Sequence, residues 1–382
     1  MHLSSLSQQT VKVRIGRIIT ETGSGGGYFR LDANWMTRGC VIVGKSGTGK
    51  SHDIDLLAGQ VSQLGHAVVI LDRTGEHAEA LSRLSFAHIM RPGQDFSFRL
   101  LAPSDPTIES TEEGIEDILD TLSHYFAVSF GQGPTPLQQR IIRENLQTHF
   151  RNGWGVAEGT SVVDFISLVR HYQDFRKSVH GFVESCESVV SRLHPLCVGN
   201  LSRMFDQSKE GFSVQDLFAP VLFVMDLSSL KYEPAKNLLS QILLKQLFQE
   251  ARRLGRIDGL RQLVVVDEAH NVAPRDPEYQ SFLEMIAIEN RKYGQGLVVA
   301  TTSPSQLSEA LLRNASIRFC HLLDDGKDID LMLRFMVNRL EMDRYLADVR
   351  MLGLGEALVQ VSAPKSVPPT RVAVQFEEPN KA

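Results

Sequence analysis

The chain has 382 residues, of which 42% are hydrophobic, so it can bury the core of one large domain or of two modest ones. Its 40 basic and 45 acidic residues give a net charge of −5, which argues against a surface coated with positive charge for wrapping nucleic acid but leaves room for a locally basic channel. Four scattered cysteines argue against structural zinc and favour reduced thiols, and no apolar run approaches the ~20 residues of a membrane span, so we expect a cytoplasmic protein without a membrane anchor.

Short apolar runs rich in β-branched residues alternate with helical patterns along the chain. This alternation predicts an α/β fold with a mainly parallel sheet covered by helices. Most of the runs are too continuously apolar to face water on one side, which suits a sheet buried on both faces. The run at 11–19 is predicted as an edge strand that precedes the glycine-rich "ETGSGGGYF". Further strands are predicted at 40–44, 67–72, 220–226, 262–268, 296–302 and 317–323, with two more within 356–376.

Helical spacing replaces the strand pattern between Leu101 and Phe218. Helices are predicted within 113–126, 136–150, 162–172 and 188–196, with loops at 129–136 and 151–160. An amphipathic helix at 235–254 then returns the chain to the sheet. We therefore divide the chain into an N-terminal strand segment at 1–39, a sheet domain at 40–100 and 219–382, and an inserted helical subdomain at 101–218.

The strongest motif is "GKSGTGKS", which follows the strand at 40–44 and precedes a helical stretch, as a phosphate-binding loop requires. Its glycines let main-chain N–H groups turn inward around a β-phosphate, and the helix N-terminus adds its positive dipole end. Lys50 is predicted to contact the β- and γ-phosphate oxygens, and Ser51 to offer its hydroxyl to Mg²⁺. The predicted nucleotide-binding residues are Gly44, Lys45, Ser46, Gly47, Thr48, Gly49, Lys50, Ser51 and Asp267. A chance glycine-rich loop is the alternative, and the strand before the motif argues against it.

A second motif, "VVVDEAH", ends an apolar strand with two carboxylates. Asp267 stands at the strand end, where it can reach the Mg²⁺ shell together with Ser51. Glu268 is predicted to polarise the attacking water as a general base. His270 is expected to be structural rather than catalytic. We therefore expect ATP and Mg²⁺ as ligands.

The letters of "DEAH" also name a class of two-lobe helicases, but the spacing argues against that class. Asp267 lies 217 residues after Lys50, far more than one lobe of such a helicase needs. Only 112 residues follow His270, too few for a second lobe. A basic residue that completes the γ-phosphate site would then come from the same lobe or from a neighbouring subunit.

The order of several motifs resembles the HerA-type branch of the HerA/FtsK ATPases, hexameric ring motors that pump duplex DNA. The stretches that carry the resemblance are "GKSGTGKS", "VVILDRTGEHAEAL", "VLFVMDLSSL", "VVVDEAHNVAP", "ENRKYGQGLVVATTSPSQLSEALLRNASIRF" and "LGLGEALV". The resemblance implies a RecA-like P-loop core, ATP hydrolysis, a homo-oligomer expected to be a hexamer, and double-stranded DNA as substrate. It further implies a separately encoded nuclease or other effector, in DNA end processing or anti-phage defence.

The same resemblance assigns roles to residues outside the two nucleotide motifs. Arg291 matches the family's basic residue before the sensor strand and is the predicted arginine finger toward the adjacent subunit's nucleotide. A solvated arginine that pairs with Glu289, or Lys292 acting as the finger, are the alternatives. Thr302 occupies the sensor position, where the family usually carries Gln-Arg-Pro and this chain reads Thr-Ser-Pro, so its reach toward a γ-phosphate is shorter.

Two further residues complete the predicted site. Glu76 follows Gly75 in "DRTGEH", where the family has Gly-Glu-aromatic, and together with Asp72 it could orient Arg73, Mg²⁺ waters or a subunit contact. For Asp72, the alternative is a cap of the following helix. Arg38 is a second candidate for a contact in trans, against the simpler interpretation of an exposed arginine at a strand entry. Family members commonly begin with a small β-barrel, and 43 residues precede Gly44, so we expect at most a remnant strand pair and a ring that depends on a partner or on the insertion.

The sequence does not identify a DNA-binding surface. Basic residues at 138–147 and 252–262 are candidates for pore loops, and each set is equally compatible with a solvated helix face. Two other functions stay open: an ATP-switched scaffold that activates an effector without sustained pumping, which the altered sensor suggests, and a conjugation- or secretion-type ATPase of the same superfamily.

Overall fold

All strands that the structure describes join one eleven-stranded sheet. The computed structural model describes residues 12–20, 23–96, 100–101, 103, 108, 111–151, 162–176, 181–198, 200–205, 214–275 and 280–374. Its strands are β1 (Lys12–Thr20), β2 (Gly23–Asp32), β3 (Cys40–Val43), β4 (Ala67–Asp72), β5 (Ala87–Met90), β6 (Leu222–Asp226), β7 (Gln262–Val266), β8 (Gln295–Thr301), β9 (Ile317–Cys320), β10 (Glu356–Val361) and β11 (Val367–Val374). Their order across the sheet is β2-β1-β11-β10-β9-β3-β8-β7-β4-β6-β5.

The seven strands from β9 to β5 run parallel to one another and form one side of the sheet. Every residue of β3 and β4 is buried, as the continuous apolar runs predict. Successive residues point into two separate cores: Val41 and Val43 pack on one face of the sheet, whereas Ile42 packs on the other. The α/β fold with a mainly parallel sheet and a P-loop between β3 and the following helix is therefore confirmed.

The antiparallel part of the sheet differs from the sequence prediction. The predicted strand at 11–19 exists as β1, but it is not an edge, because it pairs with β11 on one side and with β2 on the other. The edge strand is β2, which contains the glycine-rich segment. Its Phe29 and Leu31 side chains are buried in the core and hold the strand against the sheet. The opposite edge is β5, a strand that the sequence pattern did not indicate: Ala87, Ile89 and Met90 are partly buried, and His88 is exposed.

The helices cover both faces of the sheet. They are α1 (Lys50–Gln63), α2 (Glu76–Leu81), α3 (Glu112–Phe130), α4 (Pro136–Arg151), α5 (Val162–Phe175), α6 (Phe182–Leu193), α7 (Asn200–Met204), α8 (Glu233–Arg253), α9 (Phe282–Glu289), α10 (Glu309–Asn314), α11 (Gly326–Met336) and α12 (Met342–Arg350). Within the described residues, no strand lies between β5 and β6, where α3 to α7 are found. The predicted loop at 151–160 lies outside the described residues except for Arg151. None of the described helices is both long enough and apolar enough to span a membrane.

The predicted insertion at 101–218 shares the main core with the sheet. Lys245, on α8, is 2% exposed and reaches into α3, where it donates to the Thr121 hydroxyl over 2.6 Å and pairs with the Asp117 carboxylate over 2.9 Å. Because α8 packs on the sheet, this buried pairing ties α3 to the same body. The domain boundary itself remains a prediction.

Because the central strands are parallel, their C-terminal ends all lie along one side of the sheet and their N-terminal ends along the opposite side. We call the edge formed by the C-terminal ends of β3, β4, β7 and β8 the carboxyl edge, and the opposite one the amino edge. The residues after these strands, including the phosphate-binding loop, Asp267 and Thr302, meet at the carboxyl edge. Arg38 and Arg291 precede β3 and β8 and therefore lie at the amino edge. Ligands of open α/β sheets bind at the carboxyl edge.

Candidate active site

The phosphate-binding loop connects β3 to α1 at the centre of the sheet. Gly47 has a φ of 75°, and a side chain there would project into open space, so the loop main chain is accessible from the carboxyl edge. At Gly44 a Cβ atom would lie 2.5 Å from the Cβ atom of His321, so only glycine fits between the two strands. The Lys50 ammonium reaches back across the loop to the Lys45 carbonyl over 3.1 Å. This curled loop is the cradle that a β-phosphate requires.

Neighbouring segments hold the loop in place. Lys45 donates its main-chain N–H to the Leu322 carbonyl over 2.9 Å, and Gly355 donates to the Thr48 carbonyl over 3.0 Å. Beneath the loop, the buried Asp53 accepts a hydrogen bond from the His321 ring over 2.9 Å. His321 and Asp53 could not be predicted as partners from the sequence, because they are 268 residues apart and only the pairing of β9 with β3 brings them together.

Carboxylates converge on the loop from two other strands. The Ser51 hydroxyl donates to Glu76 over 2.8 Å. Burial lowers the pKa of Lys50, and the charges of Glu268, Asp267 and Glu76 act against that shift. The Ser51 hydroxyl and the Asp267 carboxylate are oxygen ligands of the kind that Mg²⁺ prefers, so these residues fit a nucleotide-bound Mg²⁺.

The turn that presents Glu76 is held by Asp72. One carboxylate oxygen of Asp72 accepts the N–H of Gly75 over 2.8 Å, and the other accepts the N–H of Ala78 over 2.8 Å. Asp72 therefore caps the start of α2, one of the two roles expected from the sequence. Gly75 has a φ of 89°, which only glycine adopts without strain, so "DRTGEH" is a rigid turn aimed at the loop.

His77 links Asp267 to the P-loop helix and was missed by the sequence analysis. It stands where the family has an aromatic residue, which was the available signal. Its fully buried ring lies 2.7 Å from Asp55 through Nδ1 and 3.5 Å from Asp267 through Nε2. Burial lowers the pKa of His77, but the two carboxylates outweigh burial and raise the pKa to about 10. Burial raises the pKa of Asp267, yet His77 and Lys50 hold that pKa below its ordinary value. The imidazolium thus keeps Asp267 ionised.

Removing this buried cation is expected to destabilise the protein in a pH-dependent manner. The folded-state pKa of His77 lies above the unfolded value of about 6.5, so its stabilisation is complete below that pH and is lost as the pH rises through about 10. We expect His77→Gln to lower the free energy of unfolding by about 3–5 kcal/mol at pH 6, because Asp55 and Asp267 are left without their shared partner. Urea unfolding at several pH values between 6 and 10 checks this prediction. A difference in the free energy of unfolding between the wild type and the variant that stays constant over this range would contradict it.

Glu268, the predicted base, has an unusual main chain. Its φ of 47° and ψ of 46° are left-handed, and among the described residues no other non-glycine residue has a positive φ. Such a conformation costs about 1–2 kcal/mol and is retained mainly at functional sites. The Thr302 hydroxyl donates to the Glu268 carboxylate over 3.2 Å, and the His270 ring lies 3.2 Å from the same oxygen. His270, expected to be only structural, therefore contacts the predicted base, and it also lies 3.0 Å from the Thr301 hydroxyl.

A buried arginine lies beside Glu268. Leu71 of β4 is level with Val266 of β7, so Arg73 follows β4 at the height at which Glu268 follows β7. Arg73 is 4% exposed, and its Nη2 donates to Glu233 over 2.7 Å while its Nη1 is buried without a hydrogen-bond partner within the described part of the chain. Burial lowers the pKa of Arg73, and Glu233 and Glu268 oppose that shift. The candidate site thus contains Arg73, a buried cation of the "DRTGEH" motif to which the sequence assigned no catalytic role.

The predicted trans residues lie in a cleft at the amino edge. Its volume is about 910 Å³, and its lining includes Trp35, Arg38, Arg256, Asp258, Arg291 and Lys292. The exposed Arg291 side chain forms no ion pair within the described residues, and Glu289, its expected partner, lies 3.6 Å from Arg252 instead. β8 has seven residues and separates Arg291 from the carboxyl edge by about 23 Å. Arg291 therefore cannot reach the phosphate-binding loop of its own chain.

Comparison with known proteins agrees with the motif order. Residues 13–167 match the family model described as "Helicase HerA, central domain". A curated relative from Sulfurisphaera tokodaii, "DNA double-strand break repair helicase HerA", is 24% identical over 78% of this chain and 57% of its own length. The relative of the same name from Sulfolobus acidocaldarius is 22% identical over 91% of this chain and 66% of its own length. The chain thus spans somewhat less than two thirds of the length of these two relatives.

Solved structures share the fold. VirB4 of Thermoanaerobacter pseudethanolicus superposes with a TM-score of 0.69 at 18% identity, over 96% of both chains. The plasmid coupling protein TrwB, solved in complex with ADP and Mg²⁺, superposes with a TM-score of 0.64 at 16% identity, over 96% of this chain and 94% of TrwB. The match to the HerA central domain over residues 13–167 and the HerA relatives agree with the resemblance carried by the motifs, and the solved structures show that the chain has the fold of VirB4 and TrwB.

Proposed function

We propose that this chain hydrolyses ATP with Mg²⁺ at the carboxyl edge and uses the reaction to move double-stranded DNA through a homo-oligomeric ring, which we expect to be a hexamer. The observation that carries the proposal is the division of the predicted site between two edges. The phosphate-binding loop and Glu268 lie at one edge, and Arg291 lies about 23 Å away at the other. A second copy that places its amino edge against this carboxyl edge would complete the site.

The chemistry follows from the positions of the side chains. Bound Mg²⁺ would supply charge neutralisation at the β- and γ-phosphates. Lys50 and the loop N–H groups bind those phosphates, while Ser51 and Asp267 offer oxygen ligands. Glu268 accepts a proton from the attacking water, and Thr302 orients the Glu268 carboxylate through the 3.2 Å hydrogen bond. The names of the HerA relatives and the ADP and Mg²⁺ bound to TrwB support this assignment.

Ring formation and DNA dependence can be tested together. We expect native mass spectrometry with a non-hydrolysable ATP analogue to show a closed oligomer, because the nucleotide lies between the two complementary edges. Double-stranded DNA should then raise the ATPase rate. Lys50→Ala is the control, because it removes the phosphate contact and should abolish nucleotide-dependent assembly. A protein that stays monomeric with analogue and DNA, and whose ATPase ignores DNA, would refute the proposal.

An effector partner belongs to the same proposal. We infer that the ring works in the cytoplasm with a nuclease or other effector, in DNA end processing or anti-phage defence. The scaffold alternative is motivated by the altered sensor: Thr302 and Ser303 stand where the family usually carries Gln-Arg, and the short Thr302 side chain has less reach toward a γ-phosphate. Effector activation that survives in a Glu268→Gln protein would favour the scaffold, whereas loss of activation would favour sustained pumping.

The fold shared with VirB4 and TrwB is compatible with a third candidate function. A conjugation- or secretion-type ATPase would share the same site and the same sheet. Recovery of the protein with membranes after cell fractionation would favour that function, and recovery away from them would favour the DNA-pumping ring.

A further inference from the structure

The exposed face of the β1–β2 hairpin gathers basic side chains around one aromatic ring. The guanidinium carbons of Arg14, Arg17 and Arg30 lie 4.6, 5.5 and 6.0 Å from the centre of the Tyr28 ring. Arg17 also donates to the Tyr28 hydroxyl over 3.4 Å. Lys12 is exposed and lies two register pairs beyond Arg14 and Arg30 on the same ribbon, opposite Asp32. We call Lys12, Arg14, Arg17, Tyr28 and Arg30 the basic hairpin face.

The hairpin is a fixed platform for these cations. Its other face buries Val13, Ile15, Phe29 and Leu31 in the core, so the alternation of the strands directs Lys12, Arg14, Tyr28 and Arg30 outward. A register shift between Arg14 and Gly16 brings Arg17 to the same outer face, opposite Tyr28. Packing of guanidinium groups against an aromatic ring restrains long side chains that are otherwise free to rotate. In a chain with a net charge of −5, such a concentration of restrained cations is a local exception.

The basic hairpin face is also tied to the phosphate-binding loop. The Gln60 side-chain amide accepts the main-chain N–H of Arg14 over 2.8 Å and donates to the Arg14 carbonyl over 2.7 Å. Gln60 belongs to α1, the helix that begins with Lys50 and Ser51. A ligand that shifts or stiffens β1 would therefore act on the helix that holds the phosphate-binding residues.

We propose that the basic hairpin face binds the phosphate backbone of double-stranded DNA. The two hydrogen bonds between Gln60 and Arg14, which we call the Gln60 clasp, then couple DNA binding to the nucleotide site. Guanidinium groups suit phosphate because their planar N–H fork matches two phosphate oxygens. The contact is with the backbone and is therefore independent of base sequence. The inference rests on the proposed DNA-translocating function and specifies where the chain touches its substrate.

The binding test uses a double variant with a matched control. We expect Arg17→Gln/Arg30→Gln to bind a fluorescein-labelled duplex of mixed sequence about tenfold more weakly in fluorescence anisotropy. The plot of log K against log salt should become shallower by about 2, because each lost phosphate contact removes about 0.9 from the slope. Arg313→Gln/Arg334→Gln removes the same charge from exposed positions on α10 and α11 and should bind as the wild type does.

The coupling test uses Gln60→Ala. This variant should keep its affinity for DNA and its basal ATPase, because alanine suits the middle of a helix, but DNA should no longer stimulate hydrolysis. Stimulation equal to that of the wild type would remove the clasp from the proposal.

The outcomes separate this inference from the proposed function. If the wild type binds duplex DNA and Arg17→Gln/Arg30→Gln binds it with the same affinity and salt slope, the hairpin contact is wrong and the translocase proposal stands. If the wild type binds no DNA at all, both fail. If the double variant keeps DNA binding but loses an effector protein, the face is a protein interface and the inference is overturned.

Discussion

Glu268→Gln is expected to bind ATP with the affinity of the wild type while its hydrolysis rate falls by about 10²–10⁴-fold. Glutamine keeps the shape of the side chain and its contact with Thr302, but its amide cannot accept the proton of the attacking water. A fluorescent ATP analogue measures binding, and phosphate release under single-turnover conditions measures hydrolysis. Wild-type turnover in this variant would exclude Glu268 as the base.

The left-handed main chain of Glu268 gives this experiment a second readout. Glycine adopts a φ of 47° without steric cost, so Glu268→Gly should be as inactive as Glu268→Gln yet more stable, by about 1 kcal/mol in the free energy of unfolding. Opposite effects on stability and turnover would show that the strained conformation is retained for catalysis. Equal or lower stability of the glycine variant, relative to the glutamine variant, would contradict that interpretation. Lys50→Ala is the matched loss-of-binding control.

Arg291→Ala is expected to lower the ATPase rate by about 10³-fold or more, the loss typical of an arginine finger, without weakening ATP binding to the isolated chain. The reason is geometric: Arg291 lies at the amino edge, about 23 Å from the phosphate-binding loop of its own chain. Any contribution that Arg291 makes to hydrolysis must therefore act on the nucleotide of a neighbouring subunit. Arg38→Ala and Lys292→Ala, which alter the same cleft, test the competing candidates.

Mixing two inactive variants decides whether the residue acts in trans. An Arg291→Ala subunit keeps Glu268, and a neighbouring Glu268→Gln subunit can supply Arg291 to it. Mixed rings should therefore recover ATPase activity that neither variant has alone. No recovery, in mixtures whose co-assembly is verified by native mass, would place the action of Arg291 within one chain or remove its role altogether.

The sequence predicted those features that depend on neighbours along the chain. A continuous apolar run marks each central strand. The motif "GKSGTGKS" between a strand and a helix predicts the phosphate-binding loop, because the geometry of this loop needs only local residues. The position of Asp267 and Glu268 at a strand end follows in the same way. The altered sensor at Thr302 was also readable, since it is a departure from a family pattern at a known position.

The tertiary structure decided every contact that joins distant segments. His77 becomes a buried cation only because Asp55 on α1 and Asp267 after β7 converge on it. The glycine-rich β2 forms a strand because Phe29 and Leu31 find the core, a gain that local propensity does not register. Likewise, the order β3-β8-β7-β4 sets Arg73 beside Glu268 and holds Arg291 at the far edge. Local sequence determines which groups a segment offers, whereas the strand order determines which of them meet, because the pairing energy is realised only once the whole sheet is assembled.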